Sequence, residues 1–233
     1  MNIVIPMAGD GSRFAKAGFD LPKPFIDVRG TPMIERVIST LPKATTLILI
    51  CRNEHLSQHG SFYEAIQKLH ANIKLITTTG LTEGAACTVL LSKELINNDD
   101  ELIIANSDQL VEYDQEQFNK LRASGPDGII FTFKASHPKW SYVKLEDGCV
   151  VNVAEKLVIS DDATCGIYYF KRGSDYVKSA ERMMAKQIRV NNEFYNAPVF
   201  NEMIEDGQRI IPFQVNRMHG LGTPEDLTEY LNV

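Results

Sequence analysis

The sequence predicts an α/β fold, a mixed and mostly parallel sheet flanked by helices, on three observations. Short apolar runs alternate with segments of helical periodicity through the first half of the chain. A glycine-rich turn leaves the first of those runs without delay. The composition is that of a folded globular chain: 44% of the 233 residues are hydrophobic and 23% charged, enough apolar surface for a core and too much for long disorder.

Residues 2–7 are apolar and read as a buried strand. Thr31 suits an N-cap and Pro32 a first helical position, and Met33, Ile34, Val37, Ile38 and Leu41 then recur at helical spacing, predicting a helix over 32–41. Residues 46–51 are a second strand, 62–69 a helix, 73–78 a third strand, 83–91 a helix and 101–105 a fourth strand. Repeated strand-then-helix units imply a parallel sheet with right-handed crossovers. The second half differs. Strands are expected at 128–133, 142–145, 150–154 and 165–170, with Glu146-Asp147-Gly148 as a hairpin turn. Helices at 174–186 and 198–205, a strand at 209–215 and a closing helix at 224–231 complete the chain. No repeat, low-complexity tract or linker interrupts it, so residues 1–233 read as one domain whose front part, 1–125, and back part, 126–233, share a sheet.

Charge and cysteine usage exclude several classes. Lys plus Arg total 24 against 30 Asp plus Glu, a net charge of -6. That balance argues against nucleic acid or a membrane surface as partner and for small molecules. Cys51, Cys87, Cys149 and Cys165 are scattered in or beside apolar runs without a C-x-x-C pair, as buried free thiols of a reducing compartment would be. No apolar stretch is long enough to span a bilayer and the first residues do not resemble a signal peptide, so a cytoplasmic location is expected.

Chemistry concentrates in the turn after the first strand, Pro6-Met7-Ala8-Gly9-Asp10-Gly11-Ser12-Arg13-Phe14. Small residues let backbone amides approach phosphate oxygens, and Arg13 adds a cationic fork. A dinucleotide fingerprint needs glycine where Phe14 stands, and a Walker A loop needs Gly-Lys-Ser/Thr; neither is met. Leu21-Pro22-Lys23-Pro24-Phe25 then mounts Lys23 between two prolines, which predicts a stiff extended segment presenting the ammonium.

The glycine turn with Arg13-Phe14, the Pro-Lys-Pro mount and Gly30-Thr31-Pro32-Met33-Ile34, in that order, resemble the signature of the sugar-phosphate nucleotidyltransferases, the NDP-sugar pyrophosphorylase family, and among them the small single-domain cytidylyl-, thymidylyl- and uridylyltransferases. The resemblance implies a Rossmann-like fold of the GT-A type and transfer of NMP from an NTP to a sugar phosphate or other small phosphorylated acceptor, with release of pyrophosphate. It further implies a pyrimidine nucleotide (CTP, UTP or dTTP), Mg²⁺ as cofactor, and a place in surface polysaccharide or capsule precursor synthesis. The front part would then bind nucleotide and the back part acceptor; a homo-oligomer is compatible with the sequence. Carried onto this chain, Ala8, Gly9, Asp10, Gly11 and Ser12 would hold the nucleotide. Arg13 would neutralise the departing pyrophosphate and Lys23 would bind the α-phosphate. Asp108, in Asn106-Ser107-Asp108-Gln109 after the fourth strand, matches the metal-binding aspartate, with Ser107 beside the nucleotide; taken alone the run also suits a turn or helix cap.

Thr79, Glu83 and Gly84 resemble the segment along the nucleobase. Glu83 either accepts from an exocyclic amine or sits in the first turn of a helix, where the macrodipole favours it. Glu155, Lys156, Gly166, Tyr168, Glu193, Tyr195 and Asn201 resemble the acceptor side, with Lys156 on its phosphate and Glu155 on a hydroxyl or amine; otherwise Glu155-Lys156 is a surface ion pair. One departure stands out. Before Gly222-Thr223-Pro224 the family usually carries a second metal carboxylate, and here that position is Gly220. One carboxylate with phosphate and water suffices for Mg²⁺, or His219 or another residue takes its part.

His55 and His59 have zinc-site spacing without the glutamate or a third ligand, which favours a solvated helix start or loop. Trp140 suits either a stacking platform or a loop anchor, and residues 97–101 a solvated turn. Two other functions share the fold: a glycosyltransferase consuming an NDP-sugar, which predicts a DxD motif where Asn106-Ser107-Asp108 has one carboxylate, and a nucleotide sensor without turnover.

Overall fold

The computed structural model describes residues 1–70 and 72–232. Its front half runs β1 (Asn2–Pro6), α1 (Ser12–Lys16), a 3₁₀ turn (Lys23–Phe25), α2 (Met33–Thr40), β2 (Thr46–Arg52), α3 (Asn53–Gln58), α4 (Gly60–Leu69), β3 (Ile73–Thr78), α5 (Ala85–Leu90), α6 (Lys93–Ile96), β4 (Leu102–Ala105), β5 (Gln109–Glu112) and α7 (Gln115–Ala123). The back half adds β6 (Gly128–Lys134), β7 (Ser141–Glu146), β8 (Cys149–Glu155), β9 (Asp162–Phe170), α8 (Gly173–Ala185), α9 (Val199–Glu205), β10 (Ile210–Gln214), β11 (Arg217–Gly220) and α10 (Pro224–Leu231).

One mixed sheet holds strands from both halves in the order β10-β6-β9-β4-β1-β2-β3, with β7 and β8 branching from β9. The expected parallel block is present: β1 pairs in parallel with β2 and β4, and β2 with β3. Along that order β9 runs against its neighbours β4 and β6, and the branching β7 and β8 are antiparallel too. Because β1, β3 and β4 are parallel, the turns that follow them open at the same edge of the sheet, where α/β folds bind ligands.

Strand alternation sorts the core into two layers. Val4, Ile48, Ile50, Leu102 and Ile104 face α5, α8 and α9, whereas Ile3, Ile5, Leu47, Leu49 and Ile103 face α2, α4 and α7. A third apolar cluster joins Phe14 of the glycine turn to Val28, Met33, Leu110, Leu221 and Leu227. It ties α1, α2, β5 and α10 together beneath the sheet edge.

The expected elements form, with some differences: Pro32 rather than Thr31 is the N-cap of α2, the short α6 is unexpected, and four more bear on the site or the sheet. The Lys23 segment is not extended: Pro22 is (φ -54, ψ 141), but Lys23–Phe25 closes a single 3₁₀ turn through Phe25 N–H to Pro22 O at 2.8 Å. The helix expected from residue 83 starts at Ala85 because Gly84 (φ 127) breaks the chain before it. Helix α7 shows little apolar periodicity and buries only Phe118; the Asp114 carboxylate starts it by accepting from the N–H groups of Glu116 and Gln117. Strands β5 and β11 pair as a separate antiparallel ribbon, each too short to read in sequence. The Glu146–Cys149 hairpin closes as expected, with Asp147 and Gly148 both at positive φ.

Candidate active site

The turn after β1 carries Gly11 in the left-handed region (φ 64, ψ 14), the N-cap of α1. A Cβ on Gly11 would touch the Lys23 backbone and Cβ at 3.8–3.9 Å, and one on Gly9 would meet nothing within 4 Å. The turn therefore lies against the lysine mount on one side and stays open on the other. Phe14, fully buried, anchors α1, leaving Arg13 exposed on the cavity side.

Lys23 and Asp108 meet across 85 residues, Nζ donating to Oδ2 at 2.6 Å, each side chain about four-fifths buried. Two cavities lined by Asp108 adjoin this pair. One, of about 180 Å³, is lined by Gly9, Gly11, Lys23, Ser107 and Asp108; the other, of about 340 Å³, by Arg13, Asp108, Glu155, Lys156, Gly166, Tyr168, Glu193 and Tyr195. They share Ala85, Asn106 and Asp108 as a common wall. The carboxylate expected to hold metal thus separates the glycine-turn cavity from the cavity of the back-half residues.

In the larger cavity Ser141 Oγ donates to Glu155 Oε2 and Lys156 Nζ to Tyr195 Oη at 2.5 Å, with the ammonium also 4.6 Å from the Tyr195 ring centroid. Lys156 holds φ at 54, a left-handed conformation costly for a residue with a Cβ. Burial pushes the Glu155 carboxyl above its usual range, against the opposing pull of Ser141 and Lys156. The Tyr168 and Tyr195 hydroxyls are also pushed up by burial and stay protonated. Gly166 (φ 69) has a geometric reason: a Cβ there would lie 2.0 Å from Gln109 Oε1 and 2.3 Å from Asn106 Nδ2. Its bareness admits the Asn106–Gln109 amide pair at the cavity wall.

Several of the expected residues have other surroundings. The Asn201 amide is consumed by the backbone of Val153, accepting from its N–H and donating to its C=O, both at 2.8 Å, so it pins the outer edge of β8 rather than facing an acceptor. Glu83 lies outside α5, excluding the helix-turn alternative, and its carboxylate pairs with Arg189. The bareness of Gly84 serves the protein itself: a Cβ would lie 2.4 Å from the Phe194 carbonyl oxygen. Thr79 is exposed beyond β3, and Ala8 is buried under the turn. Asp10 and Ser12 are on the turn but exposed, Asp10 near Arg52 at 3.5 Å.

The larger cavity is also lined by Trp140, which the sequence leaves between a stacking platform and a loop anchor, and by Lys139 and Asp226, which sequence reasoning missed. Trp140 lines the larger cavity with its indole against Gly220, where a Cβ would lie 3.1 Å from Cη2. Asp226 and Lys139 meet at the cavity mouth at 2.9 Å. The Thr223-Pro224-Glu225-Asp226 run is a helix-start signature, which hid Asp226. His55 is buried with Nδ1 unpartnered, not solvated, and its pKa is lowered by burial. The cysteines are free, Cys51 and Cys165 buried and Cys87 and Cys149 half-buried. Among the described residues no helix is long and apolar enough to cross a membrane.

The profile described as nucleotidyl transferase matches residues 3–232. Among curated proteins the chain is similar to the bifunctional protein GlmU of Methanocaldococcus jannaschii, 27% identical over 122 residues, which are 52% of this chain and 28% of that protein. It is similar to GlmU of Methanococcus aeolicus at 30% over 115 residues, 49% and 26% of the two chains. It thus matches about a quarter of the length of these relatives. Among solved structures, a nucleoside-diphosphate-sugar pyrophosphorylase from Vibrio cholerae RC9 superposes with TM-score 0.86 at 27% identity, covering 99% of this chain and 100% of that one. The inositol-1-phosphate CTP transferase of T. maritima shares the fold, with TM-score 0.74 at 13% identity over 99% of this chain and 94% of that one.

Proposed function

The chain belongs to the nucleotidyl transferase family, and on that footing we propose that it moves NMP from an NTP to the phosphate of a small phosphorylated acceptor, releasing pyrophosphate. The observation that carries this reading is the shared wall: Asp108, tied to Lys23, stands between a glycine-turn cavity and a cavity holding Arg13, Glu155 and Lys156. Two phosphorylated substrates meeting there have their reacting phosphates side by side.

An oxygen of the acceptor phosphate attacks the α-phosphorus in line. A new P–O bond forms as the bond to the bridging oxygen breaks, and the electron pair leaves with pyrophosphate. Negative charge crowds the phosphate oxygens throughout, so fixed cations and amides supply the catalysis. Amides of the turn from Gly9 to Arg13 hold the triphosphate, Lys23 leaves Asp108 for the α-phosphate, and the Arg13 guanidinium swings from the larger cavity that it lines to the departing pyrophosphate. Lys156 holds the acceptor phosphate; Glu155, oriented by Ser141, accepts from an acceptor hydroxyl or amine. Glu193 and Tyr195 line the same cavity.

Mg²⁺ suits the chemistry of the donor set. Asp108 offers hard carboxylate oxygens and already carries a cation, the Lys23 ammonium. A bound Mg²⁺ would neutralise triphosphate charge there. A pyrimidine base (CTP, UTP or dTTP), a sugar phosphate acceptor and a role in surface polysaccharide precursor synthesis complete the reading, supported by the motif resemblance. The cytosine contact through Glu83 is not part of it, since Arg189 holds that carboxylate. A panel of NTPs against phosphorylated metabolites, read by pyrophosphate release, tests the proposal. Pyrophosphate with one pairing supports it; a nucleoside diphosphate from an NDP-sugar, or no product with any pair, overturns it.

A further inference from the structure

We propose that Asp226 supplies a second carboxylate to the divalent cation that accompanies the nucleotide, so that the cation is held between Asp108 and Asp226; this rests on the nucleotidyl-transfer reading above. Asp226 lies in the first turn of α10, where its backbone N–H donates to Thr223 Oγ1 at 3.1 Å. In a reciprocal helix cap the carboxylate would turn back to the Thr223 N–H. Instead it points across the cavity mouth to Lys139 Nζ at 2.9 Å, with 17% of the side chain exposed.

Both carboxylates converge on Gly222. A Cβ there would stand 3.3 Å from Asp108 Oδ2 and 3.9 Å from Asp226 Oδ2, so the two oxygens face the same bare glycine. The frame between them is stiff. Leu221 N–H donates to Asp108 O at 2.7 Å, Gly220 pairs with Gln109 in the β5–β11 ribbon, and Leu110, Leu221 and Leu227 share one apolar cluster. The alternatives around Asp226 are closed: Trp140 takes the space of any side chain at Gly220, and the His219 ring packs on Tyr230 with Nε2 toward Glu112.

The charges fit the same reading. Lys23 sits on Asp108 and Lys139 on Asp226, so two ammonium groups balance two carboxylates in the ligand-free chain. An entering triphosphate gives Lys23 a stronger partner in phosphate oxygens, and the dication that accompanies it displaces the singly charged Lys139 ammonium from Asp226. The freed carboxylates then face a hard cation, which Mg²⁺ sites commonly complete with one or two carboxylates plus substrate phosphates.

Binding of Mn²⁺ with α,β-methylene-CTP, and with inorganic tripolyphosphate as a base-independent probe, can be followed by electron paramagnetic resonance without turnover. Asp226→Asn and Asp108→Asn are each expected to weaken protein-bound Mn²⁺ by about tenfold or more, with metal-free tripolyphosphate binding kept. Lys139→Met removes the same ion pair but keeps the carboxylate, and is expected to bind Mn²⁺ at least as well as wild type. Wild-type binding by Asp226→Asn while Asp108→Asn is weakened overturns the inference alone, and so does equal weakening by Asp226→Asn and Lys139→Met, which marks a structural ion pair. If wild type binds neither probe, or Asp108→Asn binds as wild type, the nucleotidyl-transfer reading fails and the inference with it.

Discussion

Lys23 and Asp108 neutralise one another at 2.6 Å, and in the proposed reaction each takes a different task once a triphosphate enters. Lys23→Met is expected to lower kcat/KM by about 10²–10³-fold, the usual cost of one fixed donor to a charged transition state, in steady-state pyrophosphate release. In the proposed reaction Glu155 sets a pH dependence. Its carboxyl is raised by burial, so the charged form that accepts from the acceptor is lost at a higher pH than for a free glutamate. Acceptor kcat/KM should therefore rise with pH through an acidic limb above the usual carboxylate range, and Glu155→Gln should remove that limb. The sign for stability is opposite: a raised folded pKa favours the fold below the unfolded value and loses that contribution as pH rises through the folded one. That Arg13, Lys23, Asp108, Glu155 and Lys156 gather at two adjoining cavities was legible because each is a charge in a recognisable motif. Asn201 and Glu83 were not, because the partners that use up their side chains, Val153 and Arg189, lie 48 and 106 residues away.

At the scale of elements, β8 pairs only with β7, which leaves its other edge open. Asn201 of α9 answers the Val153 backbone there as a neighbouring strand would. Asn201→Ala strands a donor and an acceptor and should cost about 2–3 kcal/mol in urea melts, with acceptor KM unchanged at a temperature where the variant is folded. The 190–196 segment is locked to the start of α5 by Phe194 N–H to Glu83 O at 2.8 Å and Ala86 N–H to Phe194 O at 3.0 Å. Gly84→Ala forces a Cβ into that backbone at a positive φ and should destabilise the fold by about 3 kcal/mol or more, measured the same way. The long strands and α2 were legible from apolar period. The β5–β11 ribbon was not, because four-residue strands 108 positions apart carry no local period; α7 was hidden because its start is set by the Asp114 cap.

In the whole molecule, front and back parts share hydrogen bonds as well as a cavity. β9 from the back half inserts beside β4 of the front half, covering an edge that would otherwise expose the fully buried Leu102 to Ala105. Residues 1–125 expressed alone should be insoluble or unfolded by circular dichroism, and co-expression with 126–233 should restore soluble protein. The α/β class was legible in sequence because four parallel units carry the same pattern. The antiparallel insertion of β9, which brings Gly166 and Tyr168 to Asn106, depends on pairing between halves and has no local signature.

The most direct measurement is a crystal structure with Mg²⁺ and an α,β-methylene NTP from the pyrimidine set. The triphosphate should rest on the Gly9–Arg13 amides, with Lys23 moved from Asp108 onto the α-phosphate. A nucleotide bound elsewhere, with the Lys23–Asp108 contact intact and the glycine turn empty, would contradict the account.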